Sequence, residues 1–261
     1  ARPAGKSARM SLALITGGNR QIGAHIAARL ARAGHDLALH HFHHAGHDPV
    51  LAQALQETGV VYRDYAADLG DETACMDMLA AIRKDFGRAP DVLVNNASLF
   101  GWDRPEDSSM AQMQAAYAIN TAAPILLARE LAASAGPDAP LVVVNILDQR
   151  LDHPHGDNLA YTLGKYALLG ATRILARHYA PHVRVLGVAP VLTLASPEYS
   201  ESQMQALAAQ MPLGQLPQAQ DIADAVHWCV QARAVTGQVI YVDGGAHMES
   251  YRRDFLFLAP E

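Results

Sequence analysis

The sequence lacks the features typical of several protein classes, and each absence narrows what the chain can be. Only two of its 261 residues are cysteine, which are too few and too far apart for a disulfide framework or a cysteine-based zinc site. Lysine and arginine (20) are outnumbered by aspartate and glutamate (26), and the formal charge of −6 disfavours a protein that neutralises nucleic-acid phosphates. No apolar run approaches the roughly 20 residues that span a bilayer. We therefore expect a cytoplasmic protein with no nucleic-acid or membrane partner.

The composition and the order of patterns predict an α/β fold. With 50% hydrophobic and 18% charged residues, the chain can bury a large core and is not intrinsically disordered. Short apolar runs alternate with helical patterns, which indicates βαβ units in a doubly wound parallel sheet with helices on both faces. The predicted strands are 11–15, 37–39, 60–65, 92–94, 141–146, 183–188 and 239–242, and the predicted helices are 22–30, 49–58, 72–86, 110–135, 160–179, 201–210 and 221–232.

No composition break divides the chain, so we predict a single domain over residues 11–246. A flexible tail (1–10) precedes it, and a substrate lid is expected at about 193–217. The C-terminal tail (247–261) contains Phe255-Leu-Phe-Leu258, which is apolar enough to require burial. We expect this tail to contact another subunit.

A glycine-rich turn follows the first predicted strand. Residues 16–23 read Thr-Gly-Gly-Asn-Arg-Gln-Ile-Gly, in which the glycines permit a tight turn and the helix N-terminus offers backbone N–H groups to a pyrophosphate. This is the first βα connection, where such folds bind a dinucleotide. Gln21 stands where the middle glycine usually falls, so an ordinary βα loop is the alternative.

A second motif pairs a phenol with an ammonium group. Tyr161 and Lys165 are four residues apart at the beginning of a predicted helix, so both side chains lie on one face. A cation close to a tyrosine favours the phenolate, which allows such a pair to exchange a proton near neutral pH. The alternative is an amphipathic surface pair.

Three further motifs are Asn95-Asn96-Ala97 after the fourth strand, Asn120 in the next helix, and Asp243-Gly244-Gly245 near the end. Together with the glycine turn and the Tyr161/Lys165 pair, they resemble the short-chain dehydrogenase/reductase family from about residue 11 to residue 245. The resemblance implies a Rossmann-type fold with about seven parallel strands, NAD(P) as cofactor, and a homotetramer.

The resemblance also implies roles for individual residues. Tyr161 is the expected catalytic acid/base, Lys165 holds the nicotinamide ribose and lowers the pKa of Tyr161, and Asn120 anchors a water in a proton relay. Asp68 and Leu69 match the family's adenine contact. The other expected cofactor-binding residues are Gly17, Arg20, Gln21, Ile22, Gly23, Asn95, Ala97, Ser98, Pro190, Val191 and Thr193.

The sequence departs from the family at a catalytic position. Most members carry a serine about thirteen residues before the tyrosine, whereas this chain has Asp148 there. An ionised carboxylate cannot donate a hydrogen bond to a carbonyl and repels a developing alkoxide, so simple ketone reduction is disfavoured. A carboxylate suits a substrate with N–H donors or a ring nitrogen that must be protonated. The alternative is a dead site in which Asp148 only pairs with Arg150.

Asp148 also points to one branch of the family. Ile146-Leu147-Asp148, the Ser98-Leu99-Phe100 segment and the His40–His44 run resemble pteridine reductases and dihydromonapterin reductases. In that branch, residues matching Phe100 stack on the pterin, while those matching Ser98, Asp148 and Tyr161 hydrogen-bond the pterin or cofactor. Phe100 as a core aromatic is the alternative. Gln21 stands where the branch typically has arginine and His43 where it often does; the loss of the first puts pterin affinity, rather than the fold, in doubt.

The charge pattern after the second strand favours NADPH over NADH. No acidic residue stands at the end of that strand to accept from a ribose 2′-hydroxyl and repel a 2′-phosphate. Arg20, His41, His43 and His44 are candidate phosphate contacts, and the histidines bind more strongly when protonated. A metal site at His40, His43, His44 and His47 and a solvated loop are the alternatives; we expect no metal.

We therefore predict an NADPH-dependent reductase that transfers hydride to a C=N carbon of a pterin or similar heterocycle. Tyr161 and Asp148 handle the proton, and Lys165 tunes Tyr161. The first alternative is a carbonyl or 3-oxoacyl reductase. The second, from another class, is a catalytically silent NADP-binding or scaffold protein.

Overall fold

A seven-stranded sheet forms the centre of the computed structural model, which describes residues 11–43, 46–194 and 199–258. All its strand pairs are parallel, in the order β3-β2-β1-β4-β5-β6-β7. The strands are β1 (Leu12–Ile15), β2 (Asp36–His41), β3 (Tyr62–Ala66), β4 (Val92–Asn95), β5 (Leu141–Ile146), β6 (Val183–Pro190) and β7 (Val239–Val242). The predicted doubly wound α/β sheet is confirmed, while the predicted tail at 1–10 lies outside the described residues.

Helices cover both faces of this sheet. They are α1 (Gln21–Arg32), α2 (Pro49–Thr58), α3 (Glu72–Phe86), α4 (Met110–Tyr117), α5 (Ala123–Ala132), α6 (Leu159–His178), α7 (Glu201–Ala208) and α8 (Ala219–Gln231). Within the described ranges, none of the helices combines the length and the apolar character needed to cross a membrane.

The helix predicted at 110–135 is wrong as a single element. The structure divides it into α4 and α5, joined by a π-helical turn at Ala118–Ala122. Pro124 lies at the beginning of α5 and has no N–H to continue the regular hydrogen-bond ladder. Wider turns of this kind are frequent at functional sites, and this one contains Asn120.

The core forms two layers, one on each face of the sheet. Alternate residues of each strand point to opposite layers, so that Ala13 and Ile15 pack with α1, α2 and α8, whereas Leu12 and Leu14 pack with α3 and α5. Each buried leucine or isoleucine in these layers contributes about 1.5–3 kcal/mol of hydrophobic stabilisation. Strands buried on both faces explain why the sequence shows continuous apolar runs rather than alternation.

The strand order places a crevice at the carboxyl edge of the sheet. β1 pairs with β2 on one side and with β4 on the other, so the chain connections diverge at this point. The segments after β1, β4, β5 and β6 therefore meet at the same edge.

A small third cluster closes one side of this crevice. Val191 after β6, Leu207 of α7, and Phe255 near the C-terminus pack together with Met211 and Ala246. The apolar run of the C-terminal tail is thus buried in part by its own chain, since Phe255 is 6% exposed while Phe257 is 50% exposed. The expected subunit contact of the tail stays a prediction, as does the lid, of which residues 195–198 lie outside the described ranges.

Candidate active site

The glycine turn after β1 is held tightly against the segment after β4. Thr16 Oγ1 accepts hydrogen bonds from the backbone N–H groups of Asn96 and Ala97 at 2.9 and 3.0 Å. The Asn96 side-chain amide donates to the backbone oxygens of Thr16 and Gly17 at 2.9 and 3.1 Å. These contacts hold the segment after β1 against the segment after β4, at the crevice where the chain connections diverge.

A side chain would be strained at one glycine of the turn and blocked at another. Gly17 adopts φ +61°, and a Cβ on Gly23 would lie 1.9 Å from the backbone oxygen of Gly17. Gln21 adopts φ +51°, a left-handed conformation that favours glycine. The backbone therefore keeps the shape of a glycine-rich dinucleotide turn at Gln21 although the residue itself departs from the pattern.

A carboxylate lies beside the beginning of α1. Asp48 Oδ2 accepts from the backbone N–H of Gln21 at 2.6 Å, and its Oδ1 lies 3.8 Å from Nε of Arg20. The Arg20 side chain is more than half exposed, so this ion pair is weak.

A cavity of about 620 Å³ runs from the glycine turn to the C-terminal segment, a volume within the usual range for ligand sites. The predicted site residues that line it are Gly17, Arg20, Gln21, Ile22, Gly23, Ala97, Ser98, Phe100, Asp148, Tyr161, Lys165, Pro190, Val191 and Thr193. Other predicted residues are absent from its described lining, namely His41, His43, Asp68, Leu69, Asn95 and Asn120. His44 lies outside the described residues.

The centre of the cavity holds a phenol, a carboxylate and a guanidinium. The Tyr161 hydroxyl donates to Asp148 Oδ2 at 2.8 Å. Asp148 Oδ1 accepts from the backbone N–H of Arg150 at 2.9 Å and from its Nε at 3.2 Å. The pairing of Asp148 with Arg150, considered above as a sign of a dead site, therefore coexists with a direct contact to Tyr161.

The pKa of Tyr161 is raised, whereas the sequence motifs predicted that Lys165 lowers it. Burial and then the Asp148 carboxylate raise the pKa of Tyr161 well above its ordinary value, against a lowering effect of Arg150. Burial lowers the pKa of Lys165 to about 8, opposed by Asp148. Lys165 Nζ donates to the backbone oxygen of Ile146 at 2.6 Å and lies 5.6 Å from the centre of the Tyr161 ring. The cation that favours the Tyr161 phenolate here is Arg150.

The segment after β4 presents aromatic rings to the cavity. Phe100 is 47% exposed, which disfavours the alternative that it is a core aromatic. Its ring meets that of Tyr161 edge to face at 4.8 Å and that of Trp102 at 5.6 Å. The beginning of α6 is tied to this segment because Asn158 Nδ2 donates to the backbone oxygen of Gly101 at 3.0 Å. The segment and α6 thus hold Phe100 and Tyr161 together.

Asn120 acts on the same segment from the π-helical turn. Its Oδ1 accepts from the backbone N–H of Leu99 at 2.7 Å and from Ser98 Oγ at 3.2 Å. Its Nδ2 donates to the backbone oxygen of Leu99 at 2.9 Å. The Asn120 side chain therefore shapes the cavity through Ser98 and Leu99 without lining it. Asn95 is likewise engaged elsewhere, since its amide donates to Asn145 Oδ1 at 2.8 Å across the sheet.

The described histidines at the end of β2 and after it do not form one cluster, because each contacts different partners. His40 is buried, its Nδ1 accepts from the N–H of Gly17 at 3.1 Å, and its Nε2 lies 3.0 Å from the backbone oxygen of Ala67. Burial lowers the pKa of His40, which keeps the ring neutral and structural. His43 packs on Phe42, and His47 pairs with Asp64 at 2.9 Å. Among the residues that the structure describes, no group of His, Cys, Asp or Glu is arranged to hold a metal ion.

The pattern analysis missed part of the cavity wall. Asp254 and Phe255 reach it from the C-terminal segment, and Trp102 and Arg150 also line it. The short spacing between Asp148 and Arg150 already suggested that the two pair, but nothing in the local pattern identifies Asp254, 104 residues from Arg150, as a second partner.

Comparison with known proteins establishes the family. The family model described as enoyl-(acyl carrier protein) reductase matches residues 17–247. The chain is 26% identical over 252 residues to the 3-oxoacyl-[acyl-carrier-protein] reductase FabG of Staphylococcus aureus, covering 90% of this chain and 98% of that protein. The chain belongs to the short-chain dehydrogenase/reductase family, as the sequence motifs predicted.

Solved structures resemble the chain in both fold and sequence, and two of them are informative about the cofactor. FolM alternative dihydrofolate reductase 1 from Brucella canis, crystallised with NADP, is 31% identical with a TM-score of 0.84, covering 94% of this chain and 96% of that chain. A blue fluorescent protein from a metagenomic library, crystallised with NADPH, is 30% identical with a TM-score of 0.78, covering 90% of this chain and 97% of that chain.

Proposed function

We propose that this protein is an NADPH-dependent reductase that reduces a C=N bond of a pterin-like ring. The observation that carries the proposal is the hydrogen bond that the Asp148 carboxylate accepts from the Tyr161 hydroxyl at 2.8 Å. The half-exposed ring of Phe100 lies beside this pair. This arrangement replaces the serine that most members of the family use to polarise a carbonyl.

The residues after β1 fit a dinucleotide. Gly23 packs against the backbone oxygen of Gly17, and this tight turn can form only because Gly23 has no side chain. The turn leads into the N-terminus of α1, whose backbone N–H groups and positive dipole end favour a pyrophosphate. Arg20 offers an exposed cation for a 2′-phosphate, and His41 and His43 remain candidate contacts to the same group. NADPH, when bound, supplies the hydride. The NADP and NADPH complexes of the two structural neighbours support this choice of cofactor.

The cavity wall favours a flat nitrogen heterocycle over a ketone. In all its described contacts Asp148 accepts hydrogen bonds, as an ionised carboxylate does. Such a group attracts N–H donors of a substrate and repels the negative oxygen that develops when a ketone is reduced. An aromatic face such as that of Phe100 adds about 0.5–1.5 kcal/mol to the binding of a stacked ring beyond the area buried. The FolM neighbour, described as an alternative dihydrofolate reductase, is consistent with this substrate class.

Tyr161 supplies the proton in this proposal. Reduction of C=N to CH–NH needs one hydride on carbon and one proton on nitrogen. Since Asp148 accepts a hydrogen bond from Tyr161, the mobile proton of the pair is the one on the phenol oxygen. Asp148 then orients the hydroxyl and takes part in its reprotonation from water.

A carbonyl or 3-oxoacyl reductase is the second candidate. It is favoured by the family model, whose description names an acyl-carrier-protein reductase, and by the FabG relative. The two candidates differ in what they require of Asp148, because a carboxylate opposes carbonyl polarisation and a serine provides it.

A substrate panel tests the proposal. NADPH oxidation is measured with dihydropterin, dihydrobiopterin and dihydrofolate, beside a 3-oxoacyl thioester and a simple ketone, with NADH in parallel. We expect turnover of at least one pterin, and a loss of about 10²–10⁴ in kcat/KM for Asp148→Ser and Tyr161→Phe with NADPH binding retained. Failure of all three pterins, or pterin turnover that survives Asp148→Ser, would sink the proposal. NADPH binding without any Tyr161-dependent reaction indicates a silent binding protein.

We also propose the homotetramer implied by the family. Exposed apolar side chains on α4 and α6 offer a surface for subunit contact, namely Tyr117, Leu163, Tyr166 and Ile174. Light scattering on the purified protein measures the mass, and a monomer at assay concentration contradicts this part of the proposal.

A further inference from the structure

The C-terminal segment, residues 251–258, forms part of the cavity wall and is anchored to the domain by a buried carboxylate. Asp157 Oδ2 accepts from Arg253 Nε at 2.7 Å and from the backbone N–H of Asp254 at 2.9 Å. Asp157 Oδ1 accepts from Arg104 Nε at 3.1 Å. These contacts fix the backbone at Asp254 beside the site.

The Asp254 side chain reaches the catalytic group through Arg150. Arg150 Nη2 donates to Asp254 Oδ2 at 3.0 Å, while its Nε donates to Asp148 Oδ1 at 3.2 Å. Asn158 Oδ1 accepts from the remaining arm of the guanidinium, Nη1, at 3.2 Å. The Arg150 and Asp254 side chains are 8% and 7% exposed, so this ion pair is shielded from water.

We propose that Asp254 is a positioning residue for proton transfer, which holds Arg150 so that Arg150 fixes the Asp148 carboxylate against the Tyr161 hydroxyl. The active site is thus completed by the C-terminal segment of the same chain. The inference rests on the proposed role of the Asp148/Tyr161 pair, but it does not depend on which substrate the pair serves.

Several charges act on Tyr161, and together they decide whether removal of the Asp254 charge raises or lowers its pKa. Asp148 and Asp254 are negative, whereas Arg150 and Lys165 are positive. His155 lies near Arg150 and Asp254, and burial followed by the charge of Arg150 lowers its pKa, so it is neutral. Loss of the Asp254 charge leaves Arg150 less neutralised, and Arg150 then stabilises the Tyr161 phenolate more strongly. Tyr161 should therefore lose its proton at lower pH.

Asp254→Asn tests this with little change of shape. The amide keeps an oxygen that can accept from the backbone N–H of Leu256, as Asp254 Oδ1 does at 3.1 Å. We expect kcat to fall about tenfold because the Arg150 guanidinium holds Asp148 less firmly, with the Kd for NADPH changed less than about twofold. The part of the alkaline limb of the kcat/KM profile that reports Tyr161, above the titration of Lys165 at about pH 8, should move to lower pH by about 0.5–1 unit.

Two further variants separate positioning from general loosening. Asp254→Glu keeps the charge, so the alkaline limb should return to its wild-type position while kcat lies between wild type and Asp254→Asn. Arg252→Ala removes an exposed charge of the same segment and should leave both quantities unchanged. If Asp254→Asn does not fold, as judged by thermal unfolding and NADPH binding, Asp254→Ser takes its place as the variant without the charge, and an unchanged kcat in that variant overturns the proposal.

A substrate-free measurement keeps failure of this inference distinct from failure of the proposed function. The tyrosinate absorbance of each protein is titrated and compared with that of the same protein carrying Tyr161→Phe, which isolates Tyr161. A titration at lower pH in Asp254→Asn supports the inference even if no pterin reacts. An unchanged titration, or a loss of kcat that Asp254→Glu does not relieve and that leaves the pH profile intact, reduces Asp254 to a structural residue and overturns it.

Discussion

Lys165 should make the stability of this protein depend on pH in an unusual direction. Burial lowers the pKa of Lys165 from its ordinary 10.5 to about 8. Below pH 8 both folded and unfolded chains carry the charge, and the folded state bears the full cost of burying it, about 3 kcal/mol at 1.36 kcal/mol per pKa unit. Between pH 8 and 10.5 the unfolded chain binds more protons, so stability rises with pH.

Lys165→Met removes this dependence. The substitution relieves the burial cost but leaves the backbone oxygen of Ile146 without its donor, which costs about 1–3 kcal/mol, so the two proteins should be close in stability at pH 7. Between pH 7 and pH 9 wild type should gain about 1.3 kcal/mol relative to the variant, the linkage value for these two pKa values. Urea unfolding at both pH values measures the difference.

Lys84→Met is the matched control, since it removes a lysine that is exposed on α3 and so relieves no burial cost. A stability difference between wild type and Lys165→Met that stays constant from pH 7 to pH 9 would refute the reasoning. It would mean that water or a counter-charge reaches the ammonium group and that its burial costs little.

Two further predictions concern the glycine turn. Gly23→Ala places a methyl group 1.9 Å from the backbone oxygen of Gly17, so it should weaken NADPH binding more than about tenfold, as titrated by fluorescence, and an unchanged Kd contradicts the assigned binding site. Gln21→Gly relieves a left-handed conformation at φ +51° at the cost of a more flexible unfolded chain, so it should raise the free energy of unfolding by up to about 1 kcal/mol; destabilisation in urea counts against strain at Gln21.

The sheet was predictable because it depends on local patterns repeated along the chain. Apolar runs set the strands, and alternation with helices implies parallel pairing, so the topology followed without knowledge of any contact. The helix at 110–135 was mispredicted because apolar periodicity continues through residues 118–122, where only the missing N–H of Pro124 signals a break.

The site was predictable only where the motif is itself local. The Tyr161/Lys165 spacing is fixed by one helix, and Asp148 was found by its distance along the chain from Tyr161. The contact between Arg150 and Asp254 joins residues 104 apart and depends on how the C-terminal segment folds over the crevice. Neither a periodic pattern nor a charge count contains that information.

The replacement of serine by Asp148 explains why the remaining charges are arranged as they are. A carboxylate 2.8 Å from a phenol opposes loss of the phenol proton, because two negative charges would then face each other in a buried site. Arg150 offsets this repulsion because its guanidinium stays charged. Burial alone would lower the pKa of the guanidinium, but Asp148, Tyr161 and Asp254 outweigh burial and raise it. A buried arginine with one carboxylate partner would leave part of its charge unpaired, and Asp254 supplies the second. Asp148, Arg150 and Asp254 therefore form one unit, and a variant that changes a single member should disturb proton transfer more than the sum of its contacts implies.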